Sequence, residues 1–173
     1  MKLAQKKAAL LVEDMYNEFE VWIPYYRLKE EGAVVTVVGS GTASTYFGKY
    51  GIPISADRSA VEVTSDDFDV VIIPGGYAPD KMRIHPEMVK LVKDAVKRGK
   101  VVASICHGGW MLASANVVRG RRMTSYVAIK DDLINAGALW EDSEVVRDGM
   151  LITSRKPDDL PAFCRAIISA LNE

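Results

Sequence analysis

Val101-Val-Ala-Ser-Ile-Cys-His-Gly-Gly-Trp110 decides how the rest of the chain is read. Its first half, Val101 to Ile105, is a β-rich run that ends abruptly on a thiol, Cys106. The next segment, His107 to Ala115, is helix-compatible, with Gly108 and Gly109 in its first turn. Strand, nucleophile, helix is the layout of a nucleophile elbow, in which a reactive side chain stands on a sharp turn. Backbones pass closely there, so small residues are needed two places either side, and Ser104 and Gly108 supply them. A helix start also brings partial positive charge and free N–H groups, which favour thiolate over thiol.

Working outward, Pro86 to Arg98 reads as an amphipathic helix closed by Gly99, and Phe68-Asp-Val-Val-Ile-Ile-Pro74 as a core strand running into Gly75-Gly76. Downstream, Val127 to Ala136 is helical. Val145 to Thr153 is a hairpin turning at Asp148-Gly149, and Asp158 to Leu171 is a final helix. Toward the N-terminus, Ala8–Val12 and Ala33–Val38 are buried strands flanking a helix from Asn17 to Glu31. Its apolar positions are Phe19, Trp22, Ile23, Tyr26 and Leu28, and Pro24 implies a kink or a late start. Ser44–Phe47 and Ile52–Ala56, separated by Gly48-Lys-Tyr-Gly51, form a small hairpin excursion. Its aromatics Tyr46, Phe47 and Tyr50 serve either an interface or local packing. Gly39-Ser-Gly41 lacks the spacing of a dinucleotide loop and has no helix pattern behind it. Strands that are continuous apolar runs, alternating with helices, argue one α/β sandwich with a mostly parallel central sheet covered on both faces.

The 173 residues suffice for one domain with a sizeable core. A formal net charge of −1 gives no electrostatic argument for nucleic acid or an anionic membrane. No stretch approaches the roughly 18 apolar residues of a membrane span. The apolar run Ala8–Val12 is too short, and too soon followed by Glu13 and Asp14, for the core of a signal peptide. The cytoplasm is therefore the expected compartment. Cys106 and Cys164 are the only cysteines, too few for a disulfide framework. Cys164 has helical spacing with Phe163, Ile167 and Ile168 and reads as a packed hydrophobe. The acidic and histidine positions show no metal-ligand spacing, and no organic cofactor is implied.

In an open parallel sheet, functional groups gather at the carboxyl ends of the strands. Three ends are suggestive: the first leads to Glu13…Glu18-Phe-Glu20, the third to Gly75-Gly76, the fourth to Cys106-His107. A thiolate nucleophile usually needs a base or charge partner. Of the two histidines, His107 comes directly after the cysteine, while His85 precedes Pro86 at a helix entry and reads as a surface or capping residue. Glu20 either approaches the sulfur or, with Glu18, belongs to a solvated helix face; the residues alone leave both open. Gly75-Gly76 either offers free amides to an oxyanion or is a plain turn.

Several blocks, in order, resemble the ThiJ/PfpI superfamily, and within it the PfpI-type peptidase or deglycase-like branch. They include Glu20–Gly32, Asp67–Gly76, Ala78–Arg83, Ser104–Gly108, Thr124–Tyr126, Asp131–Gly137 and Thr153–Arg155, and the resemblance runs from Ala8 to Leu171. It implies a three-layer, flavodoxin-like sandwich, similar to class I glutamine amidotransferases. It matches Cys106 to the elbow nucleophile, His107 to the histidine beside it and Glu20 to the carboxyl that approaches the sulfur. Gly76 with the amide of His107 matches the oxyanion hole, and Tyr126 a tyrosine lining the pocket. The expected oxyanion- and substrate-binding set is thus Gly75, Gly76, Gly108 and Tyr126. In PfpI-type oligomers a neighbouring subunit's glutamate completes a Cys-His-Glu triad; Asp80 stands at that position, one methylene shorter. Two further departures are Asn17, where relatives carry an acid, and Lys156, where they often carry a histidine.

The resemblance implies a homo-oligomer and a Cys106-dependent enzyme acting on small reactive carbonyls, methylglyoxal and glycated adducts, in glyoxalase III or deglycase fashion. One alternative is a peptidase acting on short peptides; another is a non-enzymatic thiol sensor of redox stress. A glutamine amidotransferase is set aside, because no histidine occurs after His107 to complete its triad. On the elbow reading Cys106 titrates below the free-thiol value of about 8.5, and removing Glu20 raises it.

Overall fold

The computed structural model describes residues Met1–Glu173. The chain runs β1 (Lys7–Val12), α1 (Glu18–Glu30), β2 (Val34–Gly39), β3 (Thr45–Phe47), β4 (Pro53–Ser55) and β5 (Arg58–Ser59). It continues β6 (Val70–Ile73), α2 (Ala78–Met82), α3 (Pro86–Lys97), β7 (Val101–Ile105), α4 (Gly109–Ser114) and β8 (Arg122–Met123). It ends α5 (Lys130–Asn135), β9 (Leu139–Trp140), β10 (Val145–Asp148), β11 (Leu151–Ser154) and α6 (Leu160–Leu171). The central sheet has the order β10-β11-β7-β6-β1-β2-β5, parallel throughout except for the β10–β11 hairpin. Every residue of β6 and β7 is buried, as a parallel strand covered on both faces requires. Helices α1 and α6 pack together on one face and α2, α3 and α4 on the other, giving the expected three-layer sandwich. No helix is long and apolar enough to cross a membrane.

The hairpin excursion forms as read, with Tyr46 opposite Ile54. Tyr46 is fully buried and its hydroxyl meets Ser40 and the amides of Gly41 and Ala43, so it packs locally, whereas Phe47 and Tyr50 are exposed. His85 occupies the N-cap position of α3 without a side-chain capping bond. Cys164 is buried, which pushes its thiol up to about 11.

Helix α1 departs from its sequence reading. Pro24 lies inside a helix that starts at Glu18, with Asn17 capping it by accepting the Phe19 N–H at 3.1 Å. The buried face carries Glu18, Glu20, Val21, Pro24 and Leu28, while Phe19, Ile23 and Tyr26 are exposed. The helix is turned so that two carboxylates face inward, because both find partners there. The helix after the nucleophile is also shorter than expected: Cys106–Gly108 form a single 3₁₀ turn ahead of the six-residue α4.

Candidate active site

Parallel pairing brings the carboxyl ends of β1, β2, β6, β7 and β11 to one edge, and the register Ile73↔Ser104 sets Gly75-Gly76 beside Cys106-His107. Three loops are stitched there by the main chain. Tyr16 bridges to both Gly48 and Gly76, and the Tyr77 N–H donates to Met15 O at 2.9 Å. Gly76 adopts φ +72, and a Cβ there would lie 2.4 Å from Met15 O, so only glycine fits.

Cys106 itself has φ +60, a left-handed conformation uncommon for a residue with a side chain, and the mark of the elbow. The required smallness is visible at Gly108, where a Cβ would meet Ile73 O and Ser104 Oγ at 2.7 Å each. Gly108 is buried and packs the turn; it does not line the cleft, so it leaves the expected substrate-binding set. Gly75 leaves that set as well. Its N–H donates to Glu20 Oε2 at 2.6 Å and is therefore not free for an oxyanion. The amides of Gly76 and His107 do point at the Cys106 sulfur and favour its anion.

Glu20 is completely buried beside Cys106, and its second oxygen, Oε1, has no hydrogen-bond partner. Burial pushes its carboxyl up to about 7, against the opposing pull of the Gly75 N–H, the Cys106 thiol and the Lys49 charge. Burial likewise pushes the Cys106 thiol up to about 12, aided by the negative charge of Glu20 and opposed by the two amides. The direction is opposite to the one expected from the elbow alone. The six residues of α4 and one 3₁₀ turn supply too little helix to offset desolvation, and a charged Glu20 hinders a thiolate. The two acids form a coupled pair that readily accepts one negative charge and resists a second.

The Nδ1 of His107 lies 3.3 Å from Cys106 Sγ. Burial and the nearby Lys49 charge lower its pKa, which favours a neutral ring able to take or return a proton. The ring is held between aromatics, stacked on Tyr126 with centroids 5.1 Å apart and edge-on to Trp110 at 5.2 Å. Asp80 is exposed on α2, and no acid within the chain contacts His107. Cys106, His107, Gly76 and Tyr126 share a cleft of about 340 Å³; Glu20 lies beneath it and Asp80 outside it. No group of three or more His, Cys, Asp or Glu side chains is placed to hold a metal ion.

Six cleft residues were not among the expected site residues: Asn17, Phe19, Lys49, Tyr50, Tyr77 and Pro157. The available signal was the Gly48-Lys-Tyr-Gly51 turn. It is fixed from below by Glu18, whose Oε1 accepts the N–H of Tyr50 at 2.7 Å. A Cβ on Gly48 would collide with that carboxylate at 2.1 Å.

Fold and site together define an α/β sandwich enzyme-like domain with a cysteine on a nucleophile elbow and a buried glutamate beneath it. The chain belongs to the DJ-1/PfpI family, whose pattern matches residues 6–170. It is 41% identical to Deglycase PfpI of Pyrococcus furiosus over 165 residues, covering 95% of this chain and 99% of that protein. It is 40% identical to Protein/nucleic acid deglycase 2 of Escherichia coli, over 96% of this chain and 98% of that protein. Among solved structures, a two-domain protein of Anabaena variabilis with DJ-1/ThiJ/PfpI-like and ferritin-like domains superposes with a TM-score of 0.95 at 44% identity. That match covers 96% of this chain and 48% of the other, so the chain spans about half of that protein's length.

Proposed function

We propose that the protein is a Cys106-dependent enzyme acting on small reactive carbonyls, of the methylglyoxal and glycated-adduct kind, in the manner of the deglycases it is similar to. The carrying observation is the Cys106–Glu20 pair: a thiol at φ +60 beside a fully buried carboxyl whose pKa stands at about 7. In the reactive tautomer Glu20 holds the proton and Cys106 the charge. The thiolate adds to the carbonyl carbon, the carbonyl's π pair moves to oxygen, and the proton comes from the Glu20 carboxyl. Gly76 and His107 amides steady the sulfur and the developing oxyanion. His107 lies close enough to the sulfur to shuttle the proton afterwards.

A peptidase would need an acid on His107, and within one chain none reaches it. Asp80 would have to come from a second copy. Self-association belongs to this reading through the exposed Phe19, Ile23 and Tyr26 of α1, and so does a cytoplasmic setting. The deciding experiment is consumption of methylglyoxal by the purified protein, by Cys106→Ala and by Glu20→Leu, alongside a fluorogenic peptide panel. Turnover lost in both variants is expected. Peptide cleavage abolished by Asp80→Ala would favour the peptidase instead. No turnover in either assay, with Cys106 readily oxidised by peroxide to the sulfinate, would leave a thiol sensor.

A further inference from the structure

One charged group of the cleft takes no part in carbonyl addition by Cys106. Lys49 lines the cleft together with Cys106 and His107, at the tip of the turn Gly48–Gly51. Its position is set by the main chain. The Lys49 N–H donates to Tyr16 O at 2.9 Å, and Tyr50 and Ile52 on its far side donate to the buried Glu18 at 2.7 and 3.4 Å. Its ammonium sits 5.0 Å over the ring of Tyr50 and takes part in no ion pair. The remaining lining side chains, Asn17, Phe19, Tyr50, Tyr77 and Tyr126 among them, include no lysine or arginine, and burial lowers the pKa of His107. Lys49 is therefore the one lysine or arginine lining the cleft. Its charge acts on both Glu20 and His107, the two groups that flank the sulfur.

We propose that Lys49 selects electrophiles bearing a carboxylate close to the carbon that Cys106 attacks: carbonyls of the oxo-acid kind and adducts derived from them. This deepens the carbonyl reading and rests on it for the chemistry. The carboxylate sits at the Lys49 ammonium while the thiolate adds to the adjacent carbonyl carbon. The π pair goes to oxygen, which takes the proton held on Glu20, giving a neutral hemithioacetal hydroxyl and an unchanged carboxylate. Nothing is oxidised or reduced. A neutral carbonyl of equal size makes the same bond without the ion pair.

Iodoacetate and iodoacetamide alkylate the same sulfur and differ in charge. The test is the ratio of their rates at Cys106, read by peptide mass spectrometry and normalised to glutathione at the same pH. A charge pair of this exposure supports a ratio up to about fivefold above that of the free thiol. Lys49→Met should remove the excess and Lys49→Arg keep it, with unchanged circular dichroism and melting. Glyoxylate should correspondingly protect Cys106 at lower concentration in the native protein than in Lys49→Met, and glyoxal equally in both. A ratio matching glutathione, or one indifferent to Lys49→Met, overturns the proposal even if methylglyoxal is consumed. A Lys49-dependent ratio without methylglyoxal turnover upholds the charge selection while the carbonyl reading fails.

Discussion

Two buried acids sharing one negative charge do not behave as one activated cysteine. Glu20 and Cys106 lose protons with apparent pKa values of about 7 and about 12, which belong to the pair rather than to either group. Whatever fraction of the first step is thiolate, alkylation of Cys106 by iodoacetamide should rise through about pH 7, level off, and climb again only well above pH 10. Glu20→Gln removes the carboxylate charge, so its profile should collapse to a single step below the second step of the native protein. A native profile with one step, superposable on that of Glu20→Gln, would disprove the coupling. The same carboxyl sets a stability cost. Because its folded pKa is raised from 4.5 to about 7, the native state keeps a proton over that window that the unfolded chain has lost. Stability therefore falls as pH rises through it, by roughly 3 kcal/mol at most. Urea unfolding at pH 4.5 and pH 8 should show Glu20→Gln gaining on the native protein at the higher pH.

At the scale of elements, α1 explains what the sequence concealed. The strands were legible because parallel strands buried on two faces are continuous apolar runs, as Val70–Ile73 and Val101–Ile105 are. The elbow was legible because Cys106 sits at the end of such a run between Ser104 and Gly108. The facing of α1 was not, because hydrophobicity reads Phe19, Ile23 and Tyr26 as inward and Glu18 and Glu20 as outward. What reverses it is partners from other elements: the Gly75 N–H for Glu20, and the Tyr50 and Ile52 N–H groups for Glu18. No local pattern contains those pairings. Nor could spacing tell that Gly75 spends its amide on a carboxylate. Glu18→Ala should strand two amides and loosen the turn that carries Lys49, costing about 1–3 kcal/mol of unfolding free energy. It should also reduce the iodoacetate preference of Cys106. Unchanged stability would mean that the turn holds without its carboxylate.

For the whole molecule, the exposed side of α1 carries Phe19, Ile23 and Tyr26 in the open. Trp22 stacks on Tyr26 at 5.8 Å and meets Tyr25 edge-on at 5.5 Å. With Ile23 and Phe19 these rings make an apolar ridge that reaches the cleft at Phe19. Contiguous apolar surface of this kind is what the self-association proposed above would cover. Ile23→Asp combined with Tyr26→Lys should shift sedimentation toward a smaller species while leaving the melting of the single subunit within about 0.5 kcal/mol, as surface substitutions do. Sedimentation as a monomer by the unaltered protein would remove this face from consideration.

Tyr16 pairs on one side with Gly48 and on the other with Gly76. The nucleophile's neighbours therefore hang from a single short splice of main chain rather than from three independent loops. The splice itself is main chain, so no side chain of the cleft carries it. A change in loop length between Gly48 and Gly51 is another matter. It would be felt at Gly76 through Tyr16, and so at the sulfur, making this family member tolerant of new specificities by substitution and intolerant of them by insertion.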